Sequence, residues 1–104
     1  MLVDFEAENN LDDKGNPAGG SVSSVGLSIR WQNGPLGRGE DRIEPNGAFV
    51  ETIIAAAKQR LEYYNETKFN CEENAKAIMF LDQALIVLNL RTHRRELIAE
   101  NGRL

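Results

Sequence analysis

Four of the 12 Lys and Arg residues lie in the last 14 positions, as Arg91, Arg94, Arg95 and Arg103. Arg91 and Arg95 are four apart, so on a helix their guanidinium groups share one face. Like charges so placed repel unless an acid or an anionic ligand answers them. Paired guanidinium forks match the oxygens of phosphate groups, which makes an anion site one explanation. A solvated helix end is the other, because the last turns of a helix favour cations. Two more residues carry recognition chemistry. Tyr64 can stack a nucleobase or cap a core. Asn74 falls where hydrophobes are expected, and its amide is costly to bury unless hydrogen-bonded but able to read a base edge.

Covalent chemistry is poorly supported. Cys71 and His93 lie at opposite ends of one helical segment, so neither activates the other. Cys71 reads as a small packed thiol. His93 sits between Thr92 and Arg94, and its arginine neighbours disfavour a metal. With one Cys and one His, the chain cannot build a disulfide framework or a four-ligand Cys/His zinc site on its own. Asp12/Asp13, Glu40/Asp41 and Glu72/Glu73 are adjacent in sequence and point apart. The Gly34–Gly39 loop lacks the Lys-Ser/Thr of a phosphate loop. The expectation is a binding protein, not an enzyme, with no metal and no cofactor.

The chain has 104 residues and a net charge of −4, with 41% hydrophobic and 27% charged residues. That length suits one domain. The charge is uneven: residues 1–52 sum to −5 and residues 53–104 to +1. A nucleic-acid polymer is an unexpected partner for so acidic a chain with no reading helix. Nothing approaches the ~20 apolar residues of a membrane span. The N-terminus is acidic where a signal peptide would be basic. A reducing cytosol suits the lone thiol.

These residues need elements to position them. Residues 1–24 read as a lead-in segment, with a short strand at Leu2–Glu6 and a turn or mobile loop over Asn9–Ser24. Residues 25–104 read as the main domain. Val25, Leu27, Ile29 and Trp31 alternate with polar or small residues, which predicts a half-buried strand. Asn33-Gly34-Pro35 ends it, and a second strand falls at Arg42–Glu44, so strands span about 25–44. A first helix spans about 47–65 with Asn46 as N-cap and Glu51 near the positive end of its dipole. Its packing stripe is Phe49, Ile53, Ala56, Ala57, Arg60, Leu61 and Tyr64.

A second helix spans about 70–100, with a capping box from Asn70 to Glu73 and a stop at Asn101-Gly102. Ala75, Ile78, Leu81, Leu85 and Leu88 make one apolar stripe; Ala77, Phe80, Ala84, Val87 and Leu90 make another. One can pack on the first helix and the other on the sheet or on a second subunit. A thin hairpin buries both poorly, which points to an oligomer. The fold class is α+β: a small antiparallel sheet, then an antiparallel two-helix hairpin.

Five blocks carry a family likeness: Ile29-Arg30-Trp31-Gln32-Asn33-Gly34-Pro35, Asn46-Gly47-Ala48-Phe49-Val50-Glu51, Arg60-Leu61 with Tyr63-Tyr64, Phe69-Asn70-Cys71-Glu72-Glu73-Asn74-Ala75, and Arg91 with Arg95. In this order, over about residues 25–95, the sequence resembles the phage-encoded Thoeris anti-defence sponges, which share a helical hairpin with anti-CBASS sponges. The resemblance implies capture, without catalysis, of cyclic nucleotide immune signals. These are glycocyclic ADP-ribose isomers and, in some members, cyclic di- or trinucleotides at other sites of a hexamer. Capture keeps the signal from an NAD-degrading effector in the cytoplasm of the infected host.

The resemblance further implies a pocket between subunits of a homo-oligomer, a dimer or a trimer of dimers. Asn74, Arg91 and Arg95 match its binding residues, Tyr64 matches a base-stacking aromatic, and Arg30 is a fifth candidate. In that role the two arginines hold the diphosphate, the ring stacks adenine, and Asn74 supplies polar selectivity. The stretch Glu96–Leu104 departs from the family's tail. The rival expectation is a structural or regulatory phage protein that acts through helix–helix contacts, its arginines facing an acidic partner.

Overall fold

A computed structural model describes residues 1–100. It is α+β, with a three-stranded antiparallel sheet followed by two helices. The chain divides into a sheet unit, Met1–Phe49, and a helical unit that begins at Val50.

In the sheet unit, β1 (Glu6–Leu11), β2 (Pro17–Ser24) and β3 (Leu27–Trp31) pair in the order β1-β2-β3. Asp12 closes the first connection, its Oδ1 accepting from the backbone N–H groups of Lys14 and Asn16 at 2.9 Å each. Val25 and Gly26 make the second, with Gly26 at φ 74°. The register places Ala7, Val22 and Ile29 in one row and Glu8, Ser21 and Arg30 in the next. Successive side chains alternate between faces, so one face is apolar and the other polar. Ile29 is the buried hydrophobe of the described residues.

The sheet therefore takes two of its three strands from the segment that the sequence reads as a lead-in. The expected strand at Leu2–Glu6 lies instead at Glu6–Leu11, and the expected loop over Asn9–Ser24 holds the end of β1 and all of β2. Its small residues mislead a hydropathy reading but serve the pairing. Gly20, at φ 148°, lies opposite both Asn9 and Trp31, and a Cβ there would collide with the Glu8 carbonyl. The expected strand at Arg42–Glu44 is absent. A single 3-10 turn, Gly39–Asp41, precedes it, and Ile43 N–H donates back to the Leu36 carbonyl at 2.7 Å.

Asn46 caps no helix. Its Oδ1 accepts from Asn33 N–H at 2.8 Å and its Nδ2 donates to the Asn33 carbonyl at 3.1 Å. Gln32 reciprocates, its Oε1 accepting from Asn46 N–H at 2.9 Å while Nε2 donates to the Gly34 carbonyl at 3.1 Å. This amide clasp ties residues 32–34 to Asn46. Beside it Ala48 pairs in parallel with Trp31, with Ala48 N–H donating to the Arg30 carbonyl at 2.7 Å. The chain is extended here, which delays the first helix.

In the helical unit, α1 (Val50–Asn65) and α2 (Glu72–Glu100) form the hairpin. Both helices start later than predicted, and the predicted stop at Asn101-Gly102 lies outside the described residues. Asn70 is not the cap of α2: its Nδ2 donates to the Thr67 carbonyl at 3.1 Å. Cys71 takes that place, its Sγ accepting from Asn74 N–H at 3.4 Å. A thiol is a weak acceptor, so the cap was hidden by residue type.

The half-buried residues of α1 include Ile53, Ile54, Lys58, Leu61 and Asn65, whereas Ala56, Ala57, Arg60 and Tyr64 are exposed. On α2 the half-buried residues run Asn74, Ala77, Ile78, Leu81, Ala84, Leu85, Leu88 and Arg91, at three- and four-residue steps, with Ile98 two turns further on. The predicted α2 stripe of Ile78, Leu81, Leu85 and Leu88 thus lies on the packing face with only its first residue, Ala75, exposed. The second α2 stripe is split, and on α1 Ile53 and Leu61 pack while the other helical residues of the predicted stripe do not. A second α2 face stays uncovered, with Phe80 and Val87 each 63% exposed and Leu90 62%.

Candidate functional site

The hairpin turn positions Tyr64 and Asn74. Thr67 Oγ1 donates to the Tyr64 carbonyl at 2.5 Å, and Cys71 N–H donates to Asn65 Oδ1 at 3.1 Å. These bonds hold the last turn of α1 against the first of α2. Asn74 is half-buried and opens the packing stripe of α2. Tyr64 is exposed, with its ring 6.0 Å from that of Tyr63 at an angle of 52°. Arg60 lies over both rings, 4.8 Å from the Tyr64 centroid and 5.1 Å from that of Tyr63. The sequence reading assigned Arg60 to packing and missed this cluster. Its signal was present, since Arg60, Tyr63 and Tyr64 stand at i, i+3 and i+4.

At the far end of the same stripe, Arg91 is half-buried and Arg95 exposed. Arg91 Nη2 stands 3.6 Å from Glu51 Oε1 in the first turn of α1. The acid that could answer the arginine pair is therefore Glu51, which the sequence reading assigned only to the helix dipole. Arg91 Nε is enclosed and has no hydrogen-bond partner among the described residues. His93 and Arg94 are exposed.

Asn74 and Arg91 thus share one stripe but bracket it, 17 residues apart. At 1.5 Å per residue this is about 25 Å along one helix. Lys58 and Asp82 pair between them at 3.1 Å. Asp82 raises the Lys58 ammonium pKa above its ordinary 10.5, by a hydrogen bond and by its charge, with Glu62 adding to the shift.

Arg30 lies in the sheet unit, on the polar face of β3. It lines an open cleft of about 600 Å³ together with Asn10, Ser21, Ser28, Trp31 and Asn46. Among the described residues, no group of three His, Cys, Asp or Glu side chains is arranged to hold a metal ion. No described helix is long and apolar enough to cross a membrane.

The two-helix hairpin that follows the small sheet in sequence has a counterpart among known families. The profile of the Acb2/Tad1 hairpin domain matches residues 24–92. The chain belongs to the Acb2/Tad1 hairpin family. That matched span includes Arg30, Tyr64, Asn74 and Arg91, together with Glu51 and Arg60, while Arg95 lies just beyond it. A curated relative, Thoeris anti-defense 1 of Bacillus phage SBSphiJ7, is 49% identical over 69 residues. The aligned stretch is 66% of this chain and 46% of the relative, so the chain spans about half the length of the curated relative it matches.

Proposed function

We propose that this member of the Acb2/Tad1 hairpin family is a phage anti-defence protein that captures a cyclic ADP-ribose-type signal and releases it unaltered. The observation that carries the reading is the 49% identity to a phage protein named Thoeris anti-defense 1. The geometry supports it. Arg91 and Arg95 supply guanidinium forks for a diphosphate. Tyr64, backed by Arg60, offers a stacking surface, and base–aromatic stacking is worth about 1–3 kcal/mol. Asn74 offers an amide for the base edge, and Arg30 a fifth contact. The protein acts in the cytoplasm of the infected bacterium, and glycocyclic ADP-ribose isomers are the leading ligands, with cyclic di- or trinucleotides as further candidates.

One nucleotide cannot span the ~25 Å between Asn74 and Arg91 of one helix. Two antiparallel hairpins would bring the Asn74 of one beside the Arg91 of the other. The pocket is accordingly assigned between subunits of a homo-oligomer, a dimer or a hexamer, and the uncovered Phe80, Val87 and Leu90 face is the surface that would meet the neighbour. That same face favours the second reading, a regulatory protein acting through helix–helix contacts alone.

Thermal unfolding with a panel of cyclic nucleotides separates the two. A ligand that binds only the folded protein, at a hundredfold over its dissociation constant, adds about 2.7 kcal/mol of stability. Under the capture reading a glycocyclic ADP-ribose isomer raises the midpoint and is recovered chemically intact after heating. No shift with any member overturns the reading, and recovery of a cleaved product would make the protein an enzyme.

A further inference from the structure

Arg91 is compensated in charge but not in hydrogen bonding. Its ion pair to Glu51 is 3.6 Å long, beyond the range of an N–H···O hydrogen bond. Its Nε is enclosed without a partner among the described residues. A guanidinium carries five N–H donors, and an enclosed donor left unpaired is costly. Both side chains of the pair are 38% exposed. An exposed pair of this kind shifts an equilibrium by no more than about fivefold.

Resting on the capture reading, we infer that Glu51 is the placeholder counter-ion of Arg91, displaced when the ligand's phosphate arrives. The exchange is favourable for a phosphate because it replaces a loose contact with fork-shaped, charge-assisted hydrogen bonds, which together outweigh a pair worth at most about fivefold. Glu51 therefore sets a threshold that an incoming anion passes only by making closer, fork-shaped hydrogen bonds to Arg91. It is a specificity-determining residue that need not touch the bound ligand, and it keeps Arg91 on the hairpin face until the ligand comes.

The test is calorimetric titration of the full chain with a glycocyclic ADP-ribose isomer, comparing the wild type with Glu51→Gln and Glu62→Gln. Glu62 lies about three turns along α1, and its variant makes the same change in net charge. The expected result is up to about fivefold tighter binding by Glu51→Gln at low salt, a gap that closes near 1 M salt, where the screening length falls to about 3 Å. Glu62→Gln is expected to bind as the wild type does and all three to keep the same mass, while the unfolding midpoint of ligand-free Glu51→Gln falls slightly, since the pair it loses stabilises the free fold. Equal or weaker binding by Glu51→Gln overturns the placeholder role, and so does an equal gain from Glu62→Gln. Wild-type protein that binds no member of the panel overturns the capture reading, and this inference with it.

Discussion

Gly47 passes so close to Trp31 that a Cβ on it would lie 2.5 Å from the Trp31 carbonyl carbon and oxygen and 2.7 Å from the Arg30 carbonyl oxygen. This approach allows Ala48 to pair with the end of β3, and it sits beside the amide clasp of Gln32, Asn33 and Asn46. Gly47→Ala should cost about 1–3 kcal/mol, the usual toll of overpacking, because the obstructing atoms are backbone and cannot swing away. Urea denaturation monitored by Trp31 fluorescence reads it as a lower midpoint. An unchanged midpoint would mean that the contact is not maintained in solution.

Phe80, Val87 and Leu90 form an uncovered apolar row on α2. If a second copy covers it, each buried side chain adds about 1.5–3 kcal/mol to the association. Phe80→Glu and Val87→Glu should then lower the mass found by light scattering while helix content by circular dichroism is kept. An unchanged mass would place the subunit contact on another surface.

Arg91→Ala and Arg95→Ala should each weaken nucleotide capture by at least about tenfold, since charge-assisted hydrogen bonds contribute about 1.5–3 kcal/mol. The oligomer mass should be unchanged in both. Titration of each variant with the same nucleotide checks it, and capture that survives both substitutions would move the anion site elsewhere.

Lys58 and Asp82 form an interhelical ion pair with its own pH signature. The Lys58 pKa is raised in the folded protein, chiefly by its hydrogen bond to Asp82. A raised cationic pKa gives stability that is present in full below 10.5 and lost as the pH climbs through the higher folded value. Asp82→Asn should therefore lower the unfolding midpoint at pH 7 and converge with the wild type once the pH exceeds the folded pKa. Midpoints measured from pH 7 upward check it. A difference that persists at the alkaline end would assign Asp82 a role other than pairing with Lys58.

Much of the fold was legible because periodicity survives any context. The alternation around Ile29 marks β3, and apolar residues at three- and four-residue steps mark both helices. The strand pair at the N-terminus was not legible, because Pro17–Ser24 is built of small residues that read as loop. Asn46 reads as a helix cap from residue type, and Asn70 from its type and its spacing to Glu73. In the structure one amide is taken by Asn33 and the other by Thr67, partners that only the folded chain brings near. Two of the five blocks that carry the family likeness, around Gln32 and around Asn46, are joined by that clasp, so their likeness reflects construction and not only recognition.

The candidate site divides the same way. Sequence alone determined which side chains are available: one Cys, one His, an arginine-rich helix end, and an asparagine and a tyrosine near the hairpin turn. It also determined that Asn74 and Arg91 lie about 25 Å apart on one helix, since a helix has a fixed rise. Tertiary structure decided what those side chains face. Antiparallel packing of α1 on α2 sets Glu51 against Arg91, 40 residues away in the chain, and Lys58 against Asp82. Helix geometry is local and can be read from spacing, whereas the partner of a charge depends on which distant segment folds against it.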